Sequence, residues 1–361
     1  MKGNKGEWSE LYTFFKLLGD GKLFSADENL KKTKSFVELK SIIRRDNEQD
    51  LNFRINNQTI NIIDFKNNQI ISSFNVVDAK KIADDLAKEI KKGKISIPKQ
   101  LIDSIQKHSI NKVTNKSQGK GDINLVIYDP IHGITSSQEF SIKSFLGSTP
   151  TLFNANKTTN ITYKITDKNN NPVSKVDLTT VNSIGNPHKY IKRISKISEL
   201  GYDINFHSYD DDTFKLNLQV IDSDLPQIIA HIVKDKFVSS KIKFTDIISK
   251  INEENPMNYD LSQGHKFYEY RLVNFLVEAA LGMTSKTVWS GKYDIVGGII
   301  IVKPDTEVLC YHVIDFNKFK TYLKNSSKLD NPSGSKMGYG EVYFDEHSKE
   351  SFIKLNFQIK A

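Results

Sequence analysis

Cysteine is nearly absent. The chain of 361 residues holds one, Cys310, which excludes an internal disulfide and a thiolate-built zinc site. Proline numbers nine and glycine 19, too few for collagen-like or low-complexity chains. No uninterrupted apolar run approaches the ~18 residues that would cross a bilayer. The basic start, Met1 to Glu7, has no apolar stretch behind it, so no secretory signal is expected and a cytoplasmic location is. His265, His312 and His347 show no H-x-x-H-like spacing, and His132 reads as a turn residue, so zinc is not expected. No G-x-G-x-x-G or Walker sequence occurs, and Gly297-Gly298 is too short to cradle a phosphate, which leaves nucleotide-driven chemistry unsupported.

What is present points to a folded, basic protein. Hydrophobic residues make up 38% and include 21 Phe and 14 Tyr, enough apolar surface to offset chain entropy. The length exceeds one comfortable core, so two domains, or one core with large insertions, are expected. The net charge of +8 favours a polyanionic partner, nucleic acid first. A lysine-rich composition of the kind found alongside abundant Asn and Ile gives the same charge with no such partner.

Periodicity divides the chain into mixed elements. Leu11, Phe14, Phe15 and Leu18 recur at helical spacing with Gly19 as a stop, so Glu7–Leu18 reads as a helix. Residues 51–75 read as strands, Val77–Lys91 as a helix, and Lys99–His108 as another after Pro98. The polar, Gly-bearing stretch 111–121 reads as a loop or hinge. Strands are expected at Asp122–Tyr128, Gln138–Phe145, Ile161–Asp167 and Phe214–Ile221, with helices over 187–200, 224–236 and Phe267–Leu281. A β-rich end follows: Ile295–Val302, Glu307–Ile314, Gly340–Phe344 and Phe352–Gln358. Cys310 reads as a buried strand residue. Three regions are expected: 1–110 with the first helix, 111–250 with a central hairpin and flanking helices, and a β-rich 251–361.

The most specific feature is that hairpin. Gly121-Asp122 enters an apolar strand, Asp129-Pro130-Ile131-His132-Gly133 turns, and Glu139-Phe140-Ser141-Ile142-Lys143-Ser144 returns. A symmetric pairing about Ile131 sets Asp122 opposite Phe140, one register step from Ser141 and a diagonal from Lys143. Glu139, Ser141 and Lys143 share one face. A carboxylate beside a lysine at strand ends suits metal-assisted phosphodiester hydrolysis: the acid holds Mg²⁺ and the lysine positions water or meets charge on the phosphate. An ordinary surface hairpin carries the same two residues.

The arrangement resembles the PD-(D/E)xK nuclease core, with one departure: Ser141 stands where that pattern has an acid. The resemblance implies a second acid from elsewhere. Gly6 and Glu10 resemble the G-x-x-x-E helix of such nucleases, which would bring Glu10 to the metal beside Asp122 and the Ile142 carbonyl. Glu139 and Glu7 are the alternatives. The chain as a whole resembles the HpaII family of type II restriction endonucleases. The likeness rests on Asn4-Lys5-Gly6-Glu7-Trp8-Ser9-Glu10-Leu11-Tyr12, Gly121-Asp122-Ile123, Phe140-Ser141-Ile142-Lys143-Ser144, the block from Val288 to Ile295, Lys328-Leu329-Asp330-Asn331-Pro332-Ser333, and the block from Phe352 to Ile359. It implies an α/β (α+β), restriction-endonuclease-like mixed-sheet core flanked by helices, with added β-rich DNA-reading regions. It also implies Mg²⁺, double-stranded DNA, a homodimer and a short palindrome of the CCGG type. Asp122, Lys143, Ser141 and Glu10 are the expected catalytic set.

Two loops have the composition of DNA readers. Thr284–Lys292 supplies Ser285, Lys286, Trp289, Ser290 and Lys292. Residues 328–336 supply Lys328, Ser333, Ser335 and Lys336, with Asp330 or Asn331 able to meet a base. Hydroxyls and lysines suit phosphates, and lysine can address guanine in the major groove. The motif Tyr190-Ile191-Lys192-Arg193 adds a basic helix face. Against the restriction reading stand a junction-resolving nuclease, usually a shorter chain, and a non-catalytic DNA binder on a decayed core, which Ser141 motivates.

Overall fold

A computed structural model of the chain describes residues 1–46, 49–93, 95–115, 121–239, 242–293 and 295–361. Residues 116–120 of the expected polar loop, and Asp294, lie outside the described residues. The chain opens with α1 (Lys5–Asp20), β1 (Lys22–Ala26), β2 (Lys32–Asp46), β3 (Gln49–Asn56), β4 (Thr59–Asp64), β5 (Ile70–Asn75), α2 (Val76–Lys91) and α3 (Lys99–Gln106). The hairpin is β6 (Ile123–Asp129) and β7 (Ile134–Ser144), followed by β8 (Thr151–Phe153), β9 (Asn160–Asp167), α4 (Lys175–Asn182), α5 (Lys189–Glu199), β10 (Tyr202–Tyr209) and α6 (Asp212–Ile221). Then come α7 (Leu225–Ser239), α8 (Phe244–Glu254), α9 (Phe267–Ala280), β11 (Gly298–Val302), β12 (Val308–His312) and α10 (Phe316–Ser326). The end is β13 (Lys328–Leu329), α11 (Gly334–Met337), β14 (Val342–Asp345), β15 (Glu350–Asn356) and β16 (Ile359–Lys360).

Two compact units form. The first takes Met1–Pro150, Ala280–Gly282 and Tyr293–Tyr322; the second takes Thr151–Ala279, Met283–Lys292 and Leu323–Ala361. The main division thus falls after Pro150, where the sequence reading places boundaries at 110 and 250.

The first unit is built on a nine-stranded mixed sheet ordered β1-β12-β11-β7-β6-β2-β3-β4-β5. Strand β7 lies antiparallel to β6 and parallel to β11. Because β1 pairs with both β12 and β2, six of the strands close into a circuit, a barrel-like arrangement that the expectation of a helix-flanked mixed sheet does not specify. Alternation on β6 puts Ile123, Leu125 and Ile127 into the core. The helix α1 is buried beyond its expected stripe, since Trp8, Tyr12 and Leu17 join Leu11, Phe14, Phe15 and Leu18 in one cluster with α2 and the sheet. A helix apolar on most sides must be enclosed, and that fixes where its few polar residues emerge.

The second unit carries an antiparallel sheet ordered β10-β9-β15-β14 and a small sheet ordered β13-β16-β8. Here one expected strand is a helix. Phe214–Ile221 alternates apolar and polar, yet α6 buries Phe214, Asn217 and Leu218 and exposes Leu216 and Val220. The Asp211 side chain accepts from the Phe214 N–H, capping the helix start. The cap and the i, i+3, i+4 spacing decide against the period of two.

Candidate active site

The hairpin pairs one position along from the symmetric expectation. Ile123 faces Phe140 and Asp129 faces Ile134, because four residues, Pro130 to Gly133, make the turn. Asp129 builds that turn. Its Oδ1 accepts from the Ile131 N–H at 2.8 Å and its Oδ2 meets His132 Nδ1 at 2.6 Å. Its hydrogen bond with His132 holds its carboxyl below the usual range.

The corrected register brings Asp122 to Ser141. Asp122 Oδ2 accepts from the Ser141 hydroxyl at 3.1 Å and from the Ile142 N–H at 2.6 Å, while the Asp122 N–H donates to the Phe140 carbonyl at 2.9 Å. The chain can enter this way because residue 121 is glycine: a Cβ there would sit 2.7 Å from the Glu139 Cβ. Ser141, at the position of the departure from the acidic pattern, therefore orients the carboxylate.

Glu10 emerges from α1 beside this carboxylate. Loss of water, then repulsion from Asp122 and Glu7, pushes its carboxyl up to about 7, against the pull of Arg44 and Lys143. Lys143 completes the group: burial holds its ammonium below the usual lysine range, and Asp122 and Glu10 pull it back up. Glu10, Asp122 and Lys143 thus share one electrostatic neighbourhood within the first unit.

The other two acids are committed elsewhere. Glu7 Oε2 accepts from the Asn4 N–H at 2.6 Å, closing a capping box in which Asn4 Oδ1 accepts from the Glu7 N–H at 3.1 Å. Glu139 Oε2 accepts from the Gly121 N–H at 3.1 Å. A residue that the sequence reading did not single out is Arg44 on β2. It is buried, donates to the carbonyls of Lys112 and Val113 at 2.6 and 2.9 Å, and lies over the Phe14 ring. No sequence motif marks it; only its burial and its pull on Glu10 do.

The expected DNA-reading residues lie in the second unit. Lys286, Ser290 and Lys292 are exposed and Trp289 is partly exposed. Ser285 differs: it is buried, and its hydroxyl binds Asn156 Nδ2 at 2.7 Å and Thr158 Oγ1 at 2.8 Å. Lys328 is half-buried in β13, whereas Ser333, Ser335 and Lys336 are exposed around α11. Arg193 of the basic helix motif is buried and donates to the carbonyls of Ile184, Asn182 and Gly340. It is a brace, not a surface cation.

A family model for the HpaII restriction endonuclease matches residues 4–361. The chain belongs to the HpaII restriction endonuclease family. It is 38% identical over 366 residues to the type II restriction enzyme HpaII of Haemophilus parainfluenzae, a match covering 99% of this chain and 98% of that enzyme. No solved structure matches the chain. Membership of the HpaII family makes this a DNA-hydrolysing enzyme of a restriction-modification system, a class that generally works with a divalent metal. Among the described residues no group of three or more His, Cys, Asp and Glu side chains is set out as a metal cage. Two neighbouring carboxylates, one of which has its proton affinity raised by burial and by the other, are nevertheless a donor set for a hard cation, which takes one or two carboxylates and keeps several waters. Glu10 and Asp122 fit such an ion.

Proposed function

We propose that this chain is a Mg²⁺-dependent type II endonuclease of the PD-(D/E)xK kind, cutting double-stranded DNA as a homodimer at a short palindrome, a CCGG-type site being the first to test. The observation that carries the reading is the surplus of negative charge at Glu10 and Asp122 beside a lysine. An acid deprived of water beside a second carboxylate calls for a cation, and a neighbouring ammonium suits an anionic phosphate.

Each residue has a role in that reading. Asp122 would hold the metal through Oδ1, since Oδ2 is bound by Ser141 and Ile142. Glu10 would approach it directly or through water, and the Ile142 carbonyl would add a neutral ligand. Bound there, Mg²⁺ supplies a Lewis acid for the scissile phosphate and lowers the pKa of a water. Ser141 keeps Asp122 oriented. Lys143 sets its positive charge against the phosphate as charge builds on the oxygens, and it positions the attacking water. Lys286, Trp289, Ser290, Lys292, Lys328, Ser333, Ser335 and Lys336 are assigned to DNA contact, with the buried Ser285 seating its loop. A palindromic site and a two-fold protein share one symmetry, which supports the homodimer.

Plasmid digestion tests the proposal. With Mg²⁺ the protein should give discrete fragments, and Lys143→Ala should abolish cutting while binding DNA within a few-fold of wild type, since the lysine acts on the transition state. Cutting of branched DNA alone would replace the reading with a junction-resolving nuclease. Retention without cutting would replace it with a DNA binder. A Lys143→Ala variant that cuts at near wild-type rate removes the hairpin as the active site.

A further inference from the structure

The loop between α9 and β11 has no helix or strand over Met283–Lys292, yet it is fixed by one buried side chain from far away in the chain. Asn217 on α6, 2% exposed, donates through Nδ2 to the carbonyls of Thr284 and Thr287, each at 2.9 Å, and accepts at Oδ1 from the Trp289 N–H at 2.9 Å. Both faces of the carboxamide are used, and three backbone groups of one loop are satisfied by a single residue. Two further anchors tighten the loop: Ser285 with Asn156 and Thr158, and the Thr284 and Thr287 hydroxyls, 2.9 Å apart. Between these anchors, three consecutive exposed side chains are Lys286, Thr287 and Val288, the last 86% exposed.

We propose that Asn217 is a positioning residue for DNA specificity, holding Lys286, Thr287 and Val288 in a preset shape that reads base edges. The inference rests on the reading above that the 284–292 loop meets DNA. The chemistry of the tip suits a groove: an ammonium for guanine O6 and N7, a hydroxyl for either partner, and an isopropyl for an apolar base edge. A loop without regular structure would lose much of its discrimination to its own mobility. Fixing three backbone groups in advance removes that cost, so the correct sequence is rewarded and a wrong one is met by misplaced groups.

Asn217→Asp keeps the shape and the acceptor for Trp289 but sets an oxygen against two carbonyl oxygens. The measurement is kcat/KM on the site the wild type cuts and on the same site with one base pair changed, together with kcat at saturating DNA, Trp289 emission and thermal unfolding. Discrimination should fall at least about tenfold, with kcat on the correct site within about twofold and Trp289 emission altered in the free protein. Unchanged discrimination with a lowered melting temperature makes Asn217 a packing residue and overturns the proposal. Should Asn217→Asp not fold, Asn217→Ala is read in the same way. Lys286→Ala and Val288→Ala separate the two levels. If neither alters DNA affinity or discrimination, the loop does not meet DNA and the reading beneath the proposal falls. If they do and the Asn217 variants do not, the clamp alone falls.

Discussion

Glu10, Glu139 and Glu7 are the three candidate acid partners for Asp122, and their surroundings divide them. Glu7 closes the helix cap and Glu139 holds the Gly121 N–H, so each has a structural duty. Glu10 has a raised proton affinity and two charged neighbours in the hairpin, Asp122 and Lys143. Glu10→Gln should therefore lower cleavage by at least about a hundredfold, the size of a ligand or ligand-orienting loss. Glu139→Gln should cost little, because an amide oxygen still accepts from Gly121. Asp122→Asn should lose several orders of magnitude and regain some activity with Mn²⁺. Single-turnover rates across a Mg²⁺ titration, with DNA affinity measured separately, compare these variants without confusing catalysis with phosphate binding. An inactive Glu139→Gln beside an active Glu10→Gln would return both acid and lysine to the strand and leave α1 as packing.

At the scale of elements, α1 links stability to the site. Asn4 and Glu7 cap its first turn reciprocally, and Glu10 stands one turn further on. Asn4→Ala should cost about 1 kcal/mol and lower the melting temperature by roughly 2–4 °C, with cleavage falling more than DNA affinity as the helix start frays. Equal losses in both would separate the cap from the site. The sequence made α1 legible through Leu11, Phe14, Phe15 and Leu18, and the hairpin through its turn residues and alternating Ile123, Leu125 and Ile127. That Asp122 and Lys143 come close together was likewise legible, from their places at strand ends. The register was not, because an even-numbered turn and an odd-numbered one look alike in composition, and one residue changes the partner of Asp122. Phe214–Ile221 misled because alternation and helical spacing coexist there, and the deciding group, Asp211, lies outside the run. Strand β2 was missed altogether: its lysines and arginines look like a solvated segment, and only pairing to β1, β6 and β3 makes it a strand.

At the scale of the whole molecule, long-range pairing and burial decide what local pattern cannot. Phe24 on β1 faces Leu309 on β12, and no local signal announces a partner so distant; the chain's return through Tyr293–Tyr322 closes the first unit. The same kind of return buries a charge in the second. Lys236 on α7 is 3% exposed, and its ammonium donates to the Asp330 carbonyl at the edge of the 328–336 loop. Burial pulls its pKa down to about 7, from about 10.4 in an unfolded chain. Between those values the unfolded chain binds a proton that the folded one does not, so this residue's contribution to stability rises with pH from about 7 to about 10. Below about 7 both forms are charged, and the full penalty of burying the ammonium remains. Lys236→Met keeps a similar stem and removes the titration, at the constant cost of leaving the Asp330 carbonyl without this donor. The difference in unfolding free energy, Lys236→Met minus wild type, should therefore be flat below about pH 6.5 and should fall steadily toward about pH 10. Denaturant titrations of both proteins at matched ionic strength measure that difference. A gap that stays constant over the whole range means that Lys236 titrates alike in the folded and unfolded chains, which overturns the assignment of a buried, proton-shedding lysine behind the 328–336 loop.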